Sequence, residues 1–529
     1  MEKNLGITLL FLLSVLHLCQ GQRSEDPNDQ SIALNPIILA DVPVMAIAKH
    51  GSTWFMSSST MHMSPGVPIM KSVDLVNWEL VTYAYDTLGS LDQLSLTHGK
   101  NAYGNGSWAS CLRFHEGTWY TSTFSHTTGK TYIFSTTDIE RGPWKRSSFI
   151  PAYHDHTLFF DDDGRVYIIY GVGGLKLVEL NPDASGIRPG TSEKIIIENA
   201  NAPAGDDIML QAEGSQLFKI NGTYYLFNIT WPKEDMRTVV IHRAENITGP
   251  WEGRVALRDK GVAQGGLTDT PDGRWFAYLF RDFGSVGRIP YLVPVKWEDG
   301  WPILGIEGKV PDKLNLPASR GLIPGIVASD EFKRNRKDLR LPLVWQWNHN
   351  PDNSLWSVTT RKGWLRLTTG RVDTLFTQAR NTLTQRTFGP ECSGTVLIDI
   401  SGMRDGDFAG LALFQKKIGQ VGILPDKGMP SVIMLNAQAG MPVVAESVMV
   451  RKKRICLRAE CDFRNNADRG YFFYCLDGKT WVQIGTTLEM DYSIPHFMGY
   501  RFGLFCYSTC TPGGSADFDW FRIAGDRNR

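Results

Sequence analysis

Two acidic residues stand at matching places in this sequence. Asp155 lies nine residues before Gly164, and Glu213 nine residues before Gly222. The same count back from Gly117 and Gly273 reaches Trp108 and Gln264. Residues that begin the innermost strands of a radially repeated sheet point into one shared mouth. Two carboxylates facing each other across such a cleft can do the acid–base work of glycosidic hydrolysis, one protonating the leaving oxygen and the other drawing a proton from water. A single Asp or Glu beside a hairpin is ordinarily a solvated turn residue. The matching positions are what single this pair out.

The elements that must hold these residues recur along the chain. A turn glycine followed by an aromatic strand appears five times: Gly51-Ser-Thr-Trp54-Phe55, Gly117-Thr-Trp119-Tyr120, Gly164-Arg-Val-Tyr167, Gly222-Thr-Tyr224-Tyr225 and Gly273-Arg-Trp275-Phe276. Most are followed by a further strand and a closing tryptophan, at Trp78, Trp144, Trp251 and Trp301. Asp163-Gly164, Asn221-Gly222 and Asp272-Gly273 are hairpin signals. The spacing of about 45–65 residues is that of a propeller blade of four short strands. Five repeats predict an all-β fold with a five-bladed β-propeller over residues 30–305. A Pro/Gly-containing stretch over 306–328 reads as a linker. Residues 329–529 are strand-like but lack the blade spacing, and their length fits one β-sandwich.

Composition narrows the function. The 529 residues carry 55 basic and 55 acidic side chains, so nucleic acid is not the expected partner, since that partner usually demands a basic surface. A hydrophobic fraction of 42% excludes general disorder. Aromatics at 11%, with 16 tryptophans, suit turn-rich β structure and surfaces that stack on sugars. The apolar run Leu5–Leu18, followed by Cys19-Gln20-Gly21, is too short to span a bilayer and reads as a signal peptide over 1–21. An exported chain, periplasmic or extracellular, with no membrane span is therefore expected. Seven cysteines follow that segment, an odd number, and buried thiols are the default reading, although Cys506 and Cys510 are near enough in sequence to pair. Arg451-Lys-Lys-Arg454 reads as a solvated turn, and Asp161-Asp-Asp-Gly164 as a hairpin rather than a calcium loop. His62 and His154 flank the mouth in sequence, where a lone histidine is more often structural than catalytic.

Several long stretches resemble glycoside hydrolase family 43, in particular its exported branch acting on β-xylosides and α-L-arabinofuranosides. They are Ser59-Thr-Met-His-Met-Ser-Pro-Gly-Val-Pro68, Lys71-Ser-Val-Asp-Leu-Val-Asn-Trp78, Tyr153-His-Asp-His-Thr-Leu-Phe-Phe-Asp-Asp-Asp-Gly164, Glu213-Gly-Ser-Gln-Leu-Phe-Lys219, Gly265-Gly-Leu-Thr-Asp-Thr-Pro-Asp-Gly273, Trp345-Gln-Trp-Asn-His-Asn350 and Asp517-Phe-Asp-Trp520. The resemblance implies a concanavalin-like sandwich after the propeller and an oligo- or polysaccharide substrate. It makes Glu213 the general acid, with a pKa raised to keep it protonated. Asp155 becomes the carboxylate that orients and tunes that acid. Arg288, in Val286-Gly-Arg-Ile-Pro290, grips sugar hydroxyls, with a plain blade salt bridge as the alternative, and Trp108 is an aromatic wall. Some members hold calcium near a channel histidine. Gln264 stands close to that place here, so no metal and no cofactor is expected.

One departure bears on the chemistry. The family's general base is the fourth residue of a motif of the form Asp-Val-Pro-Asp, and this chain reads Asp41-Val-Pro-Val44-Met45. Valine cannot accept a proton, and losing such a base typically removes about 10²–10⁴ in rate. Asp41 could substitute only where the chain is irregular, since an odd offset in a strand points the other way. Recruitment of water by Asp155 and substrate-assisted catalysis are the other routes. Two readings follow: an exo-acting, inverting glycosidase with an unusual base, or a carbohydrate-binding descendant that has lost hydrolysis.

Overall fold

The computed structural model describes residues 32–320, 325–334, 339–493 and 496–525. The expected signal peptide over 1–21 lies outside the described residues.

Each turn glycine of the repeat sits in the left-handed region, with φ of +62° at Gly51, +78° at Gly117, +80° at Gly164, +83° at Gly222 and +82° at Gly273. Only a residue without Cβ takes that conformation freely. Each therefore turns an innermost strand back on its neighbour. The innermost strands are Ala46–His50, Ser110–His115, Thr157–Phe160, Ile208–Ile220 and Ala263–Asp269. Each begins a separate four-stranded antiparallel sheet, and the five sheets are the blades. Adjacent innermost strands pack side by side, and the ring closes where Ala263–Asp269 meets Ala46–His50. Trp54 Nε1 donates to Thr268 Oγ1 at 3.0 Å across that closure, and Lys49 pairs with Asp269. Most inner-strand side chains are buried on both faces, for example Leu158, Leu217 and Leu267 at 3% exposure or less, as expected of strands stacked between neighbouring blades.

The stretch expected as a linker contains a strand, Lys313–Pro317, which pairs with Ile32–Leu34. The alternation of Leu314 and Leu316 with exposed neighbours gave that strand a buried face, which the prolines around it obscured in the sequence.

The remainder is a sandwich of two eight-stranded sheets. One sheet runs from an exposed edge strand, Val443–Met449, inward to Gln346–Asn348, and ends on Met63–Ser64. That last strand belongs to a loop of the first blade. The two domains thus share a sheet, and Ile32–Arg529 is one compact unit. A buried polar seam runs along the junction. Arg386 Nε donates to the backbone oxygen of Asp41 at 2.8 Å, and Arg501 Nη2 to Gln346 Oε1 at 3.0 Å. All seven cysteines of the described chain are free thiols, and only Cys510 is exposed. Cys506 and Cys510 do not pair.

Candidate active site

The mouth is built by turns that lead into the innermost strands. Val44 and Asp155 precede such strands and Gln264 is the second residue of one, and each is left-handed, at φ +49°, +45° and +54°. That shared turn aims all three side chains at one narrow cleft, which Met45, Ala109, His156 and Gly214 also line. Glu213 arrives differently. Its strand starts early, at Ile208, and its register with the next strand shifts on both sides of Glu213. Irregularities of this bulge type re-aim side chains and are common beside active sites. The equal count back from Gly164 and Gly222 therefore reaches two carboxyls that the fold brings together, but a kinked strand delivers Glu213 rather than a strand start.

The carboxyls are set in different surroundings. Asp155 is buried and accepts a hydrogen bond from Gln264 Nε2 at 3.2 Å. Burial first, and then the charge of Glu213, push its pKa up to about 6, against the opposing pull of His154, Arg288 and the Gln264 hydrogen bond. Glu213 lies closer to solvent, its side chain 21% exposed, and its Oε2 is 3.1 Å from His154 Nε2. Burial opposes protonation of His154, but the hydrogen bond to Glu213 and the charges of Asp155 and Glu213 outweigh it and lift the His154 pKa. His126 Nε2 stands 3.3 Å from His154 Nδ1. Ligand atoms of His154, Asp155 and Glu213 come within 4.8 Å of one another. The contacts they make, imidazole to carboxylate and amide to carboxylate, are those of groups sharing protons.

The residues expected to bind sugar stand near this group, Arg288 acting on Asp155 by its charge and Trp108 packing on His154. Trp108 packs against Phe124, His126 and His154, and its buried Nε1 has no partner among the described residues. It is a spare donor on a ring that packs against His154. Arg288 pairs through Nε with Asp282 at 3.2 Å, so the salt bridge weighed for it exists, and Arg237 holds the other side of Asp282 at 2.5 Å. Its guanidinium also lies between the rings of Phe280 and Phe497, at 4.8 and 4.9 Å.

Asp41 stands elsewhere. Its Oδ1 accepts the backbone N–H of Arg288 at 2.8 Å, and Gly499 N–H, Arg386 and Arg501 surround the carboxyl. It does not line the cleft of Val44 and Asp155. Burial raises its pKa despite those partners. The carboxyl expected as a possible substitute base thus sits in the domain seam, with its Oδ1 occupied by the Arg288 backbone N–H.

Sequence reasoning missed the sandwich's share of the site. Tyr492 OH accepts from Arg288 Nε at 3.0 Å, and Phe497 meets Trp108 edge-on at 5.3 Å. Both belong to a loop before the strand Arg501–Ser508, and no periodicity marks such a loop. The pairing of His154 with Glu213, and of His126 with His154, was also missed. The adjacency of His154 to Asp155 was a usable signal, whereas His126 comes from a hairpin of another blade.

Comparisons with known proteins bear on these features. Residues 33–302 match the family model of glycosyl hydrolases family 43, and residues 329–524 that of the β-xylosidase C-terminal concanavalin A-like domain. A β-xylosidase of Formosa agariphila is 29% identical over 92% of this chain and 89% of its own. A non-reducing-end α-L-arabinofuranosidase of Bacteroides ovatus is 26% identical over 63% of this chain and 64% of its own. Among solved structures, a bifunctional GH43-CE chain of Bacteroides eggerthii superposes with a TM-score of 0.92 at 62% identity, covering 94% of this chain. The present chain spans only 64% of that protein's length. An engineered GH43 glycoside hydrolase displaying endo-xylanase and exo-arabinofuranosidase activity gives a TM-score of 0.83 at 29% identity, over 93% of this chain and 100% of its own.

Proposed function

The chain belongs to glycosyl hydrolases family 43, and from that premise we propose that it is an exported, exo-acting glycosidase that releases terminal β-D-xylosyl or α-L-arabinofuranosyl residues. One observation carries the reading: the carboxyls of Asp155 and Glu213 lie within 4.8 Å of each other, with Arg288 and Trp108 nearby. Glu213, the carboxyl nearer solvent, protonates the leaving oxygen. The buried Asp155 beside it favours a single proton on the pair, because two like charges this close resist ionising together. Arg288 and Trp108 orient the terminal sugar. The names of the relatives support pentosides as the substrate class.

Val44 favours a second reading, that of a carbohydrate-binding protein. It is 7% exposed and places an isopropyl group in the cleft where the attacking water would be activated. A β-branched residue at φ +49° is an outlier, whereas aspartate tolerates the left-handed region. The backbone at position 44 is therefore already one that an aspartate can occupy. Hydrolysis of aryl β-D-xyloside and aryl α-L-arabinofuranoside by the wild type, Glu213→Gln and Val44→Asp separates the readings. A glycosidase loses about 10²–10⁴ in kcat in Glu213→Gln. A silent wild type that gains turnover in Val44→Asp is the binding protein. Silence in all three removes the pentoside assignment.

A further inference from the structure

The acid of a glycosidase gives up its proton once per turnover and must regain it before the next. Glu213 has a second connection. Its Oε2 is 3.1 Å from His154 Nε2, and His154 Nδ1 is 3.3 Å from His126 Nε2. The two imidazoles stack at 5.6 Å between centroids with 21° between their planes. Phe124 holds both rings at 5.2 Å, and Trp108 holds them at 5.9 and 6.2 Å. Both contacts fix the rings where their nitrogens face each other. His126 follows the strand Thr118–Ser125 and is exposed, whereas His154 is 26% exposed. The chain of nitrogens therefore leads from the propeller surface to the acid.

We propose that His154 is a positioning residue that returns the proton to Glu213, with His126 as its link to water; this rests on the glycosidase reading above. In the step, His126, protonated by water, gives its Nε2 proton to His154 Nδ1. In the same step His154 gives its Nε2 proton to Glu213 Oε2. His126 ends neutral, Glu213 ends as the carboxylic acid, and one proton has moved in from solvent. Exchange with water after product release restores the Nε2–H form of His154. Asp155 is the other ionisable group facing His154 and stays buried behind the pair.

The test compares xylobiose, whose leaving group needs a proton, with 2,4-dinitrophenyl β-D-xyloside, whose leaving group does not. It uses the full chain, as wild type or Val44→Asp, whichever turns over. His154→Gln keeps an N–H for Glu213 but cannot relay a proton. It is expected to lose about 10- to 100-fold in kcat on xylobiose, with KM held, and at least ten-fold less on the dinitrophenyl substrate. His126→Gln, an exposed change, gives a smaller loss with the same split. Equal losses on both substrates mean that His154 only shapes the pocket and overturn the proposal, as does full activity of His154→Gln on xylobiose. If neither the wild type nor Val44→Asp hydrolyses any glycoside, the glycosidase reading itself fails and takes the proposal with it.

Discussion

Val44 and Asp155 share a left-handed backbone and point into the same cleft, yet one is inert and the other is an acid whose pKa is pushed up to about 6. The pH dependence of catalysis follows from Asp155 and its neighbour. The working state carries one proton on the Asp155–Glu213 pair. As pH rises through about 6 Asp155 loses its proton, so kcat/KM should fall about ten-fold per pH unit above it. Asp155→Asn removes the group that titrates there, so the alkaline limb near pH 6 should be lost. Initial rates of the two proteins on one aryl glycoside across pH 4–8 check this, and a limb that stays put would show that Asp155 does not tune the acid.

The loop of the sandwich that carries Tyr492 and Phe497 ties the second domain to the first at the level of single contacts. Tyr492→Phe removes the phenolic acceptor of Arg288 Nε and leaves the ring in place. A hydrogen bond of this kind contributes about 1 kcal/mol net, so KM for a pentoside should rise about five-fold with kcat nearly held; an unchanged KM would mean that Asp282 alone fixes Arg288. Much of the blade pattern was readable in advance because hairpin glycines and aromatic strands are local signals. Gly51, Gly117, Gly164, Gly222 and Gly273 all fulfil the turn that their sequences announced. The position of Glu213 was readable, but not the kink that presents it, since register is a property of two strands. Asp41 looked available because proximity in sequence says nothing of Arg288 and Gly499, which reach it from far along the chain. Tyr492, Phe497 and His126 could not be found at all by spacing, for they meet the site only after the domains and blades have packed.

At the scale of the molecule, the junction between propeller and sandwich contains His62, His349 and His496, packed around Tyr103. Burial holds His62 well below the usual imidazole range, and lowers His349 to about 3 and His496 to about 4. These groups are neutral in the folded protein and take up protons on unfolding once pH drops below about 6.5. Their contribution to stability is therefore present above that pH and lost as pH falls toward 4. Each fully depressed histidine costs up to about 1.4 kcal/mol per pH unit in that window. Buried carboxyls such as Asp155 act in the opposite sense, so the comparison that isolates the effect is between variants. Melting temperature should fall more steeply from pH 6.5 to 4.5 in the wild type than in His349→Gln, and parallel slopes would show that the cluster does not govern acid lability.

The strand Met63–Ser64 gives the molecule a seam that differs from its chain order. Because a loop of the first blade supplies the edge of the sandwich sheet, a gene cut between residues 306 and 328 divides the polypeptide without dividing the structure. A hybrid that takes its sandwich from a distant relative must import the matching first-blade loop as well. Recombination, in the laboratory or in a genome, can exchange these halves only as a co-inherited set.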